Sequence, residues 1–308
     1  MAATRALFVL LLAAGCGPSA VRAPTYEREE PRAQNTAPRP PPARRRPTGP
    51  RSVRLPMLWE VRSEEAVNYV FGTAPFGVAL EQAMNDTSLQ QLANARILFL
   101  EVDADAGSLD NFDSFETLVQ LPEGERLSDH VAGAAVHTLT NELLHAVDPV
   151  RLRTVAPWVA LRFLMQKRAG AAEPMAFALH AYIQEQAISF RALTNLDTQV
   201  ERLSRLEEAR TGDLIERVAD SGDETVAPIV DAYMDGDAEG VAVAMQNSSL
   251  APFFRARYDG AARWRGRLEG EMTDGGVFVA TDIGYLVGEN GLILALETAG
   301  FTATLLGR

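Results

Sequence analysis

The chain of 308 residues has one cysteine (Cys16), one lysine (Lys167) and four histidines (His130, His137, His145 and His180). A single cysteine excludes an internal disulfide, so the core has to hold without a covalent staple. His130, His137 and His145 stand seven and eight positions apart. That spacing puts them on one face of a helix, with neighbours about 10–12 Å apart. That is too far to share an ion whose bonds to imidazole are ~2 Å, so they read as helix-surface or core-edge residues. HExxH, GxSxG, P-loop and GxGxxG patterns are all missing, which removes the common signposts of zinc peptidases, serine hydrolases and nucleotide binders. No apolar run reaches the ~20 residues that cross a bilayer as a helix. An excess of positive charge is missing too. The formal net charge is -12, and nucleic acid requires a basic footprint, so no nucleic-acid partner is expected.

The charge is unevenly spread. Residues 1–55 hold ten arginines against three glutamates, and the remainder holds 19 basic against 38 acidic residues. The chain opens "MAATRALFVLLLAAGC": one basic residue, Arg5, then about nine apolar residues, the length of a signal-peptide core. The closing "AAGC" resembles a bacterial lipobox, although Ala13 stands where leucine is usual and Leu12 lies one place earlier. The resemblance implies a lipoprotein signal over residues 1–16 and lipidation (palmitate) at Cys16, which becomes the mature N-terminus. It also implies a membrane partner through the lipid anchor and a cell-envelope location. Gly17 rather than aspartate follows the cysteine, which by the usual bacterial sorting rule favours the outer membrane.

Residues 17–55 are dominated by proline and arginine and show no hydrophobic period. Such a segment buries too little surface to repay ordering, so it reads as a disordered tether. At ~3 Å per residue it spans up to about 100 Å. The folded part, residues 56–308, begins with "MLWEV" and "VNYVFGT", two runs rich in apolar and β-branched residues that predict a hairpin. Helical spacing predicts a helix over 78–95, and the apolar run at 96–104 a buried strand. Residues 127–245 read mostly as helices, 127–147 and 174–190 among them, "SSLAPFFRARYDGAARWRGRLEGEM" as a last long one, and the end as strand 275–282, helix 288–300 and strand 301–306. The expected fold is α/β: a mixed sheet built from N- and C-terminal blocks, with a large helical insertion between them.

With no thiol left after Cys16, acids are the chemical groups that remain. Glu101 and Asp103 end one predicted strand and Asp282 ends another, where ligands of α/β sheets bind. Paired carboxylates can act as acid and base or hold a hard cation; acids also flank strand ends simply as solvated residues.

The two terminal blocks together resemble the TraB/GumN family, which includes PrgY-like and Tiki-like proteins. Its opening strand matches Leu58-Trp59-Glu60-Val61, its "GT-x-H" turn matches Gly72-Thr73-Ala74-Pro75, and its "LxLELD" strand matches "ILFLEVD". Further matches are Ala156-Pro157-Trp158, Leu196-Asp197-Thr198 and Tyr233-Met234-Asp235-Gly236-Asp237. The closing block of the family matches "DIGYLVGENGLILALETAGF" at 282–301, including Gly288. The resemblance implies a metal-dependent hydrolase whose two motif histidines and an acid form the site. Those histidines fall on Pro75 and Tyr285, the second motif's glycine falls on Asp282, and an arginine counted back from Trp264 falls on Gly260. Glu101 alone matches. This leaves two readings. One is a catalytically inactive envelope lipoprotein, without metal or other cofactor, that binds a peptide or envelope partner in a cleft around Gly72, Thr73, Glu101, Asp103, Asp282, Tyr285 and Gly288. The alternative is a metal-dependent peptidase or hydrolase using Glu101 with substituted ligands such as Asp282 and Tyr285.

Overall fold

The computed structural model describes residues 53–64, 66–102, 119–170, 174–206 and 208–306. The signal segment, Cys16, most of the tether and Asp103 lie outside them. The fold is α/β, with a mixed six-stranded sheet in the order β4-β3-β5-β2-β1-β6. Its strands are β1 (Leu58–Arg62), β2 (Val67–Thr73), β3 (Ile97–Val102), β4 (Phe190–Thr194), β5 (Val277–Asp282) and β6 (Thr302–Leu305). β1 and β2 form the expected hairpin, with Leu58 opposite Phe71 and Arg62 opposite Val67. β6 pairs antiparallel with the other edge of β1. β2, β5, β3 and β4 run parallel to one another.

The C-terminal block is split across the sheet: β6 adds to the edge at β1, whereas β5 is threaded between β2 and β3, and all six of its residues are buried. A parallel strand covered on both faces needs a nearly continuous apolar run, which "VFVATD" supplies until its last two residues.

Between the blocks the chain is mostly helical, with one departure. β4 comes from this middle region and pairs with β3, so the insertion contributes an edge strand as well as helices. The preceding helix, Met175–Glu185, stops at Ala187, whose φ of 54° lies in the left-handed region. That turn releases "FRALT" as a strand although its composition had read as a helix end.

Three predicted long helices are broken, each for a local reason. In 78–95, Asn85 accepts a hydrogen bond from Ser88 N at 2.9 Å and so caps a new helix, Asp86–Ala93. The 127–147 stretch breaks at Val131, which is extended, into helices Leu127–His130 and Gly133–Leu143. His130 and His137 therefore sit on different helices, and His145 lies past the end of the second. The last long helix breaks at Gly260, where φ is +86°, between Ala251–Tyr258 and Arg265–Thr273.

One buried side chain ties the sheet to the helical layer. Asn68 Nδ2 donates to Met272 O at 2.9 Å and to Val61 O at 3.3 Å, and its Oδ1 accepts from Val277 N at 3.1 Å. Replacing Asn68 by leucine strands a donor and an acceptor in the core, each costing about 1–3 kcal/mol. Asn68→Leu is expected to lose about 2–4 kcal/mol of stability, read as a lower urea midpoint at unchanged slope. An unchanged midpoint would show that these bonds do not hold the layers together.

Candidate functional site

The site forms at the C-terminal ends of three adjacent parallel strands. Thr73, the last residue of β2, is level with Asp282, the last of β5. On the other side of β5, Leu100 is level with Ala280, which puts Glu101 beside Thr281. Glu101 Oε2 accepts from Thr281 Oγ1 and from Asp282 N, both at 3.3 Å. Its Oε1 accepts from Gln199 Nε2.

A guanidinium stands between the two acids. Arg257 Nη2 lies 3.5 Å from Glu101 Oε1 and 3.3 Å from Asp282 Oδ2. The far oxygen of Asp282 accepts from Tyr258 OH at 2.9 Å and from Gly284 N at 3.1 Å. The side chains of Glu101 and Arg257 are each 12% exposed and that of Asp282 is 5% exposed, so solvent screens these charges weakly. Burial raises Asp282 above the ordinary aspartate range, helped by the Glu101 carboxylate and opposed by Arg257. Burial works to lower Arg257, but the field of its neighbours, Glu101 foremost, outweighs it and holds the guanidinium well above its usual value.

Above this floor lies a cavity of about 230 Å³. Its walls are mostly apolar, including Leu100, Trp158, Met175, Leu179 and Val200. A second cavity, of about 150 Å³, shares Pro75, Trp158, Arg162, Pro174, Phe177 and Arg257 with the first. Arg162, on the buried helix Pro157–Ala169, lines both. Among the described residues its guanidinium makes no hydrogen bond or ion pair. Burial and the nearby positive charge of Arg257 push its pKa down to about 10.

The structure brings Thr73, Pro75, Glu101 and Asp282 to one cavity. Tyr285 is not on its wall. It packs beneath, against Tyr258 and Trp264, with its OH donating to Arg257 O at 2.9 Å. Gly72 lies deeper still, where its carbonyl accepts from Tyr233 OH at 2.6 Å. Gly288 turns at φ +84° near Ala242, and Gly260 turns beside Arg202. The arginine that reaches the floor is Arg257, three residues before Gly260.

Arg257, Arg162, Gln199 and Tyr258 were missed in the sequence. Arg162 left one trace, as the sole charge within the apolar run "PWVALRFLM". Gln199 directly follows the matched Leu196-Asp197-Thr198. The other two sit in an aromatic, arginine-rich stretch with no period to single them out.

This donor set does not suit a divalent cation. Arg257 already occupies the space between the two carboxylates, and the Tyr285 phenol is spent on a backbone carbonyl. His180 is on the cavity wall, its ring edge-on to Phe190 at 5.5 Å. Among the described residues, no three His, Cys, Asp or Glu side chains converge as a metal site.

A family model described as the TraB/PrgY/gumN family matches residues 57–305. No curated protein and no solved structure matches the chain.

The turn after β5 admits no side chain at Gly284, where an added Cβ would stand 2.2 Å from the Tyr258 ring. Gly284→Ala is expected to displace Tyr258 from Asp282 and lower stability by about 2–4 kcal/mol, with a changed tyrosine signal in near-ultraviolet circular dichroism. A variant with wild-type melting and spectrum would show that the turn yields freely.

Proposed function

We propose that this chain, which belongs to the TraB/PrgY/gumN family, acts by binding rather than by catalysis. In this reading it is an envelope lipoprotein, held to the outer membrane through Cys16, whose strand-end cavity takes up a peptide or a segment of an envelope partner. One observation supports the binding role above all. Glu101 is committed to donors from Thr281, Gln199 and the Asp282 backbone, with Arg257 set between it and Asp282. An ionised carboxylate has about four acceptor positions, and most of those on Glu101 are taken. A general base needs a free lone pair within reach of a proton on the substrate. Pro75, at the mouth of the same cavity, has neither a donor nor a metal ligand to offer. What the cavity presents to a visitor is mostly apolar wall, with the Arg162 guanidinium and His180 beside it and the Glu101–Arg257–Asp282 network as its floor.

Purified protein should therefore contain no stoichiometric zinc, manganese or iron by elemental analysis, and should leave a broad peptide library uncut with or without added divalent ions. Cleavage that Glu101→Gln abolishes would overturn the binding reading. The anchor is tested separately. Cys16→Ser should move the protein from the membrane to the soluble fraction, and a wild-type protein that is already soluble and begins beyond residue 16 would refute the lipoprotein assignment.

A further inference from the structure

We propose that the cavity takes a monocarboxylic acid with a short apolar tail, its carboxylate on the Arg162 guanidinium and its tail along the apolar wall. The inference rests on the binding role above and names the ligand chemistry that role requires.

The argument begins with where the charges are spent. Arg257 faces both carboxylates at 3.3 and 3.5 Å. Arg162, half-buried, lines the cavity with no hydrogen bond or ion pair among the described residues, beside Trp158 of the same helix. A cation drawn partly out of water without a partner is costly. It is tolerated where a ligand supplies the missing charge, and the planar guanidinium fork matches a carboxylate in two parallel bonds. Only one positive charge is spare, and Glu101 and Asp282 lie on the same floor. A dianion such as a phosphate monoester would meet two like charges with one counter-charge, so the site favours a monoanion.

The walls set the rest of the ligand. Leu179 and Val200 fit a hydrocarbon chain, and Trp158 adds its apolar ring; its indole Nε1, buried without a hydrogen-bond partner among the described residues, is one further donor on that wall. Phe177 lines both cavities and is 55% exposed, an unusual amount for a large apolar side chain, which places it at the entrance. The volume of about 230 Å³ is below the ~300–1,000 Å³ of sites for drug-sized ligands, so the buried tail is short. Two sources present this chemistry: a medium-chain fatty acid, and the free C-terminal residue of an apolar peptide.

The test is calorimetric titration of the full chain with octanoate, with octanol, and with a leucine-rich tripeptide as free acid and as amide. Octanoate or the free-acid peptide should bind at least tenfold more tightly than its uncharged counterpart, and whichever does identifies the source. Arg162→Met should erase that preference, and Arg162→Lys should keep only part of it, since an ammonium lacks the fork. Because Arg162 carries its charge into the fold at a cost, Arg162→Met is also expected to raise the melting temperature by about 2–4 °C. That rise excludes simple misfolding as the cause of lost binding. Equal affinity for the acid and its uncharged counterpart in both pairs would overturn the carboxylate inference while leaving an apolar binding cavity in place. Binding of neither probe, or a preference that survives in Arg162→Met, would also overturn it. Peptide cleavage without retention of any probe would remove both this inference and the binding role beneath it.

Discussion

The insertion of β5 between β2 and β3 is the constraint on which the rest of this structure depends. It pairs residues far apart in the chain, as in the bond from Val277 N to Asn68, 209 positions away. Closing so long a loop costs entropy before any contact repays it, so the strand that closes it has to be strongly apolar. Val277 to Ala280 meet that demand. Once β5 is seated, three strand ends lie side by side, and Thr73, Glu101 and Asp282 are neighbours without any local sequence signal to bring them together. The turn after β5 and the helix Ala251–Tyr258 then meet over the same edge, which aims Arg257 and Tyr258 at Asp282.

The polar floor built this way contributes little to stability as such. Buried ion pairs recover through mutual attraction only part of the hydration they lose, and apolar replacements of similar volume are often at least as stable. What the network does is fix geometry. Asp282 holds Tyr258 and Arg257 through different oxygens, Glu101 holds Gln199 from another helix, and the Tyr285 hydroxyl pins the Arg257 backbone. Each group is oriented by at least one partner from a different element. Arg162 is the exception: among the described residues it makes no hydrogen bond or ion pair, and Glu101 and Asp282 act on it only through their field. On the reading above, the two arginines divide the work: one completes the floor and the other faces the ligand.

Much of the fold was legible in the sequence because its signals are local. The hairpin was visible in two apolar, β-branched runs, β3 and β5 in continuous apolar stretches, and the α/β class in the alternation of strands with helices. The helix breaks were less visible. Asn85 and Gly260 act through a cap and a positive φ, which a hydrophobic period averages over. β4 was missed because a five-residue edge strand with one buried residue carries almost no pattern. The site was legible in part for the same reason. Glu101 and Asp282 end strands and were found by position; Thr73 and Pro75 came from the resemblance to the family's turn. Arg257 sits on a helix that ends before Gly260, so a count back from Trp264 along one unbroken helix does not reach it. Arg162 and Gln199 are brought in by tertiary packing, which no local period encodes.

The turn "TAPFG" after β2 makes sense once its surroundings are known. Ala74 and Phe76 are buried and Pro75 between them is half-buried, lining both cavities at once. Gly77 follows at φ +73°, where an added Cβ would meet Ala169 O at 2.8 Å, so the chain is pressed against the end of the Arg162 helix. A histidine at position 75 would bring ring nitrogens that must be hydrated, bonded or metallated in a narrow, apolar gap. Proline brings none, and its ring restricts φ. Its lack of a backbone N–H is harmless where the chain leaves the sheet and the ladder needs no further donor. The turn therefore works as a rigid apolar partition, setting the width of the cavity that Arg162 faces, and its chemistry is that of a wall.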